Sequence, residues 1–182
     1  MPLIAVDAQA IPMVHTENVL SLISESGVTR CRIKAKVGDV YSNKGDDYWH
    51  FPEGIYVERF DSLFNVEGSL VADTAYYFEK RQLWQAIGNV VVKNMEGTVF
   101  ETSELFWDMK VPAGVVNAFY THKPVKITKP DGTTTYGQDG FKGEQSLNTW
   151  RLYGTRADLI FEESSDSIRQ NTISSDTVIR HP

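Results

Sequence analysis

The feature that most constrains this chain is alternation. Residues 28–37 read Val-Thr-Arg-Cys-Arg-Ile-Lys-Ala-Lys-Val. Cys31, Ile33, Ala35 and Val37 fall on one side, and Arg30, Arg32, Lys34 and Lys36 on the other. Side chains of a strand point alternately to opposite faces, so this is an apolar-in, basic-out strand. Helical periodicity is scarce elsewhere, and short apolar runs alternate with turn signals at Pro52-Glu53-Gly54, Glu96-Gly97, Pro112-Ala113-Gly114 and Pro130-Asp131-Gly132. The last of these, between Val125-Lys126-Ile127 and Thr135-Tyr136, predicts a hairpin. Residues 101–107 open on polar residues that could cap a helix. A capping box from Thr102 would need Glu or Gln where Leu105 stands, so the stretch is read as strand. Aromatic residues make up 12% of the chain, which suits pleated surfaces. The expected class is all-β, as a sandwich, jelly roll or barrel.

The second half suggests three loose copies of one unit, and stacked repeats bury their apolar faces against neighbours. The first copy runs through Ala72–Tyr77 and Leu83–Val92. The second runs through Thr102–Trp107, Phe119 and Pro124–Ile127. The third runs through Gly137–Phe141, Trp150–Leu152 and Ala157–Phe161. Period two assigns faces within these runs. Trp84, Ala86, Val90 and Val92 share one. Leu105 and Trp107 lie opposite Phe100 and Phe106. Leu70, Ala72 and Tyr76 lie opposite Val71, Ala75 and Tyr77. Val115, Phe119, Val125 and Ile127 share a face if their strand is unbroken. Such faces line either a closed core or an open groove, and periodicity alone does not choose between them.

Several function classes find no residues to support them. The formal net charge is −6, and the tail from Glu162 holds four acids and two bases, so the body carries −4. An acidic body argues against nucleic acid as a partner. The lone Cys31 excludes an intramolecular disulfide. Residues 3–14 contain Asp7, Gln9 and Pro12, too short and too polar to span a bilayer, and no basic segment precedes them. His15, His50, His122 and His181 lack metal-ligand spacing and read as isolated. Gly137, Gly140 and Gly143 have the wrong spacing for a phosphate loop and read as turn glycines. Asp46-Asp47 read as solvated turn acids, and no nucleophile elbow or other catalytic signature is present. No enzyme, cofactor or metal is expected. The basic stripe Arg30, Arg32, Lys34, Lys36 could meet lipid phosphates or an acidic partner, or could be a solvated face protecting a sheet edge.

A resemblance adds to this reading. The series Phe51-Pro52-Glu53-Gly54-Ile55-Tyr56-Val57-Glu58, Leu70-Val71-Ala72-Asp73-Thr74-Ala75-Tyr76-Tyr77, Leu83-Trp84-Gln85-Ala86-Ile87-Gly88-Asn89-Val90, Phe100-Glu101-Thr102-Ser103-Glu104-Leu105-Phe106-Trp107-Asp108 and Gly137-Gln138-Asp139-Gly140-Phe141 resembles the LptC family of lipopolysaccharide export, most of all its Bacteroidetes members. It covers residues 16–162, with Thr16-Glu17-Asn18-Val19 and Ser24-Glu25-Ser26-Gly27 at the front. The resemblance implies a twisted, open β-jellyroll of stacked antiparallel strands. It implies a periplasmic protein anchored at the inner membrane, with the lipopolysaccharide ABC transporter and an LptA-like bridge protein as partners. Lipopolysaccharide would be the cargo, its acyl chains shielded in an apolar groove. Leu70, Ala72, Tyr76, Trp84, Ala86, Val90, Val92, Leu105, Trp107, Phe119, Val125 and Ile127 would line that groove. This sequence lacks the anchor, and Met1-Pro2 fits its removal. The expected organisation is a flexible segment 1–15, the jellyroll domain 16–162 and a disordered polar tail 163–182. The alternatives are a carbohydrate-binding jellyroll, which would turn Trp49, Trp107 or Trp150 to solvent beside acids, and a structural envelope protein with a solid core.

Overall fold

The computed structural model of the protein describes residues 11–42, 47–154 and 160–162. The expected polar tail 163–182, most of the expected flexible start, Asp46 of the acid pair, His181 and residues 157–159 of the third repeat lie outside the described residues. Val14 and His15, placed by the sequence in the flexible start, already belong to the first strand.

All regular elements described are strands: β1 (Val14–Glu25), β2 (Val28–Tyr41), β3 (Tyr48–Phe51), β4 (Ile55–Phe60), β5 (Val66–Ala72), β6 (Thr74–Phe78) and β7 (Leu83–Asn94). They continue with β8 (Val99–Asp108), β9 (Phe119–Thr121), β10 (Val125–Thr128), β11 (Thr134–Gly137), β12 (Phe141–Gly143), β13 (Thr149–Leu152) and β14 (Ile160–Glu162). All fourteen join in one antiparallel, jellyroll-like sheet that divides into two limbs. On one edge β2 pairs with β1. On the other, its Cys31–Ala35 segment pairs with β4 and its Asp39–Tyr41 segment with β3. The two branches continue as β4–β5 and β3–β6, then rejoin along β7, which pairs with β6 through 83–87 and with β5 through 91–94. β8 runs beside β7, and beyond it the sheet divides again into β10–β11 and β9–β12–β13–β14.

The limbs meet at corners. Pro52-Glu53-Gly54 turns β3 into β4, and Asp73 turns β5 into β6. β7 bends through Gly88 and Asn89, where three steps on β7 span two on β8. Both residues have positive φ, +77° and +43°. A Cβ on Gly88 would lie 2.6 Å from Asp73 Oδ2, so only glycine fits there. Asp73 closes the corner: its N–H donates to Gly88 O, and its carboxylate accepts from Asn89 Nδ2 at 2.7 Å. The corner between β11 and β12 is tighter still. Gly140 has φ +101°, and a Cβ there would stand 2.0 Å from Thr121 O.

These corners reset the alternation and overturn two face assignments. Between Leu105 and Phe100 the register with β7 shifts by one, and a one-residue slip moves side chains to the other face. Phe100 therefore turns inward with Leu105 and Trp107, while Phe106 turns outward. Asp73 likewise breaks the run 70–78: Leu70, Ala72 and Ala75 are buried, and Tyr76 points out of the core. Residues 115–127 are not one strand. Val115 is exposed in the loop before β9, and His122-Lys123-Pro124 separates β9 from β10. The glycine series is mixed: Gly140 is a turn residue, whereas Gly137 and Gly143 lie in β11 and β12 against close neighbours. The basic stripe protects no edge, since β1 pairs along the length of β2 and is itself the edge among the described residues. The hairpin at Pro130-Asp131-Gly132 and the strand through 101–107 are both present.

Candidate functional site

One core lies between the limbs, and its two walls differ in chemistry. Register aligns Trp49, Tyr77, Trp84, Trp107, Phe119, Gly143 and Trp150 in a single row across β3, β6, β7, β8, β9, β12 and β13. Their rings pack in series: Tyr77–Trp84 at 4.6 Å, Trp84–Trp107 at 6.5 Å and Trp107–Phe119 at 5.3 Å between centroids, all nearly parallel. Phe51 joins them at 5.9 Å from Trp84. The facing limb aligns Ile33, Val57, Leu70, Val92, Phe100 and Ile127 across β2, β4, β5, β7, β8 and β10. Nearer the corners stand small residues, Ala35, Ala72, Ala75 and Ala86. The space is a wedge, narrow where the limbs join and widening between an aromatic and an aliphatic wall.

At the β1 end the wedge is open. A cavity of about 180 Å³ is bounded by Val19, Ser21, Ile23 and Ile33 on one side and Trp49, Phe51, Tyr77 and Glu79 on the other. Glu79 marks its mouth by accepting a hydrogen bond from Trp49 Nε1 at 2.7 Å. Towards β9 the walls close, leaving a space of only about 20 Å³ between Val57, Leu70 and Val92 and Trp107 and Phe119. One polar atom inside the wedge is left over: Trp84 Nε1 is buried without a hydrogen-bond partner. A buried donor left unpaired costs about 1–3 kcal/mol.

A strap closes the seam opposite the corners. Residues 144–148, between the paired strands β12 and β13, reach across to the other limb at Arg59 and Asn94. The Gln145 amide donates to Asp108 O and Val111 O, both at 2.9 Å. Its oxygen accepts from Trp107 Nε1 at 2.9 Å and from Arg59 at 3.4 Å, so one side chain ties β4 of the aliphatic limb to β8 of the aromatic limb. Asn94 Nδ2 donates to Leu147 O. Leu147 holds φ +56° to insert a fully buried side chain beside Gly143, filling the one gap in the aromatic row. Arg59 lies in this seam paired to Glu67 at 3.1 Å.

The structure brings Leu70, Ala72, Trp84, Ala86, Val90, Val92, Leu105, Trp107, Phe119, Val125 and Ile127 together in the wedge, all buried. Tyr76 is the exception. It stacks outside on His50 at 4.4 Å and 2° between rings, beside Tyr48 and Phe78. His15 and His50 are not isolated either, because both are register partners of Asp39 and His15 Nδ1 lies 2.6 Å from its carboxylate. Burial lowers the His50 pKa despite Asp39. On the basic stripe Arg32 pairs with Glu58, and Lys34 lies over Tyr56. Cys31 faces the core, and burial pushes its thiol up to about 12. Among the described residues no three of His, Cys, Asp and Glu gather as a metal site. The sequence places Ile33 on an inward face without bringing it to the site, sets Tyr77 on the face opposite Leu70, and leaves out Val57, Gln145 and Leu147. Val57 lies in a plain alternating run, whereas the strap carries no periodic signal. No family model and no curated protein matches this chain.

Proposed function

We propose that the protein is a non-enzymatic carrier module that shields lipid acyl chains between its limbs, as the resemblance to LptC implies. In that reading it is a periplasmic component of lipopolysaccharide transport, set between an inner-membrane ABC transporter and an LptA-like bridge. The observation that carries it is the apolar core between two walls of register-aligned side chains, with a cavity of about 180 Å³ at its β1 end. Each methylene removed from water contributes roughly 0.8 kcal/mol, so a carrier of acyl chains needs such a lining and no reactive groups. Trp84 Nε1 supplies a donor for an ester, amide or hydroxyl oxygen of an acylated ligand. Among the described residues the outer edge of β1 has no partner strand, which suits strand addition by a neighbouring sheet. The glycan-binding alternative keeps only Trp49, half-buried beside the Glu79 carboxylate, because Trp107 and Trp150 are buried in the core.

The test is photo-crosslinking in cells, with a reactive side chain placed singly at Ile23, Tyr77 and Trp49 around the open cavity. Lipopolysaccharide adducts at these positions, with none at Tyr76 or Lys126 outside, are expected. A folded protein that yields no adduct at any cavity position would sink the carrier reading.

A further inference from the structure

The cavity at the β1 end is graded in polarity from floor to mouth. Val19, Ile33 and Phe51 form a buried floor, and half-buried Ser21, Ile23, Trp49 and Tyr77 form the rim. Trp49 of β3 and Tyr77 of β6 are register partners, so two aromatic rings stand together on one side of the opening. Alternation along β6 turns Tyr77 inward and Phe78 outward, and so brings Glu79 back to the cavity side as an exposed carboxylate at the mouth. The volume, about 180 Å³, limits what fits. A dry cavity of about 150 Å³ holds one benzene molecule, so this one takes a single ring or one short alkyl chain.

The charge at the mouth selects the head of such a ligand. The Glu79 carboxylate accepts from Trp49 Nε1 at 2.7 Å and, among the described residues, pairs with no cation. Of the cations nearby, Lys110 Nζ donates to Lys80 O at 2.7 Å, the Arg81 guanidinium lies 4.1 Å over the outward Phe78 ring, and Lys80 is exposed on the turn. Asp47, whose backbone oxygen accepts from the Glu79 N–H, adds a second acid beside the mouth, with its carboxylate accepting from Ser42. Burial first, and then the Glu79 charge, raises the pKa of the Tyr77 phenol, so the field of the carboxylate reaches the aromatic rim. A carboxylate beside two aromatic rings attracts a cation and repels a phosphate or a second carboxylate.

We propose that the cavity binds a slender organic amine, with one ring or short alkyl chain on the apolar floor and the ammonium between the Glu79 carboxylate and the Trp49 and Tyr77 rings. The inference rests on the reading that this cavity holds an apolar ligand, and it adds the sign of the head. An amphiphile with an anionic head meets repulsion at Glu79, whereas an amine gains an ion pair and a cation–π contact.

The test uses the full 182-residue chain labelled with nitrogen-15, whose four indole N–H signals report binding. Trp49→Phe identifies the Trp49 signal, and Trp84, Trp107 and Trp150, all buried, serve as references for the fold. The probes are n-octylamine, n-octanol and octanoate, which share one chain and differ in the head. Octylamine should shift the Trp49 signal and bind about five-fold more tightly than octanol, the effect of one exposed ion pair. Octanoate should bind more weakly than either. Glu79→Gln keeps a carbonyl to accept from Trp49 Nε1 and removes the charge, so the amine should fall to the affinity of the alcohol. Ser21→Phe fills the cavity from the edge strand and should abolish the shift. Where Ser21→Phe disturbs the reference signals, the Glu79→Gln comparison decides. Equal affinity for amine and alcohol, tighter binding of octanoate, or an amine preference that survives Glu79→Gln overturns the proposal and leaves the carrier reading standing. An octylamine shift that persists in a folded Ser21→Phe variant moves the amine to the outer surface and also overturns it. Absence of a shift with all three probes overturns it as well, and lipopolysaccharide adducts at Ile23 and Tyr77 then decide the carrier reading separately.

Discussion

Gln145→Ala tests whether the strap holds the limbs together. The variant removes two donated and two accepted hydrogen bonds, to Asp108 O, Val111 O, Trp107 Nε1 and Arg59. Trp107 is only 4% exposed, so its indole N–H is left buried and unpaired, which costs about 1–3 kcal/mol. The two loop carbonyls reach water more easily and add about 0.5 kcal/mol each. The expected loss is about 3 kcal/mol, or roughly 6–12 °C in melting temperature for a chain of this size. Urea unfolding followed by tryptophan emission measures it, and the native emission should also move to the red as Trp107 meets solvent. Gln145→Glu sharpens the test. It keeps the acceptor for Trp107 and Arg59 but sets a carboxylate oxygen against Asp108 O and Val111 O, so it too should be less stable than the parent. A Gln145→Ala variant within about 0.5 kcal/mol of the parent would refute the strap.

Other expectations follow from single residues. Gly88→Ala puts a Cβ against the Asp73 carboxylate at φ +77° and should cost about 2–4 kcal/mol by chemical denaturation. A cost no larger than that of an exposed-loop glycine would remove the corner from the account of the fold. Cys31 links stability to pH. Its folded pKa, about 12, lies above the ordinary thiol value of 9.0, so the protonated thiol favours the fold. That contribution is fully present below pH 9 and declines by about 1.4 kcal/mol per pH unit up to pH 12. Burial also raises Tyr41, Tyr56, Tyr76, Tyr77 and Tyr120, so the difference between the parent and Cys31→Ala across that range should show the slope. Leu147→Gly deletes the side chain that fills the aromatic row while relaxing its positive φ, so a net loss of about 2–3 kcal/mol is expected. Thermal denaturation that left Leu147→Gly as stable as the parent would mean the gap beside Gly143 needs no filling.

Alternation and turn chemistry were enough to read the strands, the hairpin at Pro130-Asp131-Gly132 and most of the inward residues. Each of those depends only on neighbours in sequence. Faces were misread at two places, both for one reason. Phe100 and Tyr76 were assigned by counting across Gly88-Asn89 opposite Ser103 and across Asp73, and a bulge or corner resets parity without breaking the apolar pattern. The strap was illegible for a different reason. Gln145 and Leu147 matter through Arg59, Asn94 and Trp107, distant in sequence and brought near only by the return of β12 and β13.

The small residues beside the corners have a mechanical consequence. Ala35, Ala72, Ala75 and Ala86 sit next to the fulcrum, and the aromatic and aliphatic rows sit further along the arms. A lever multiplies displacement with distance from its pivot. Side-chain volume added at Ala86 would therefore move the far ends of the limbs by more than its own size, whereas the same volume added near Phe119 would be taken up locally. The angle between the limbs, and so the bore of the space between them, is set by methyl groups at the apex.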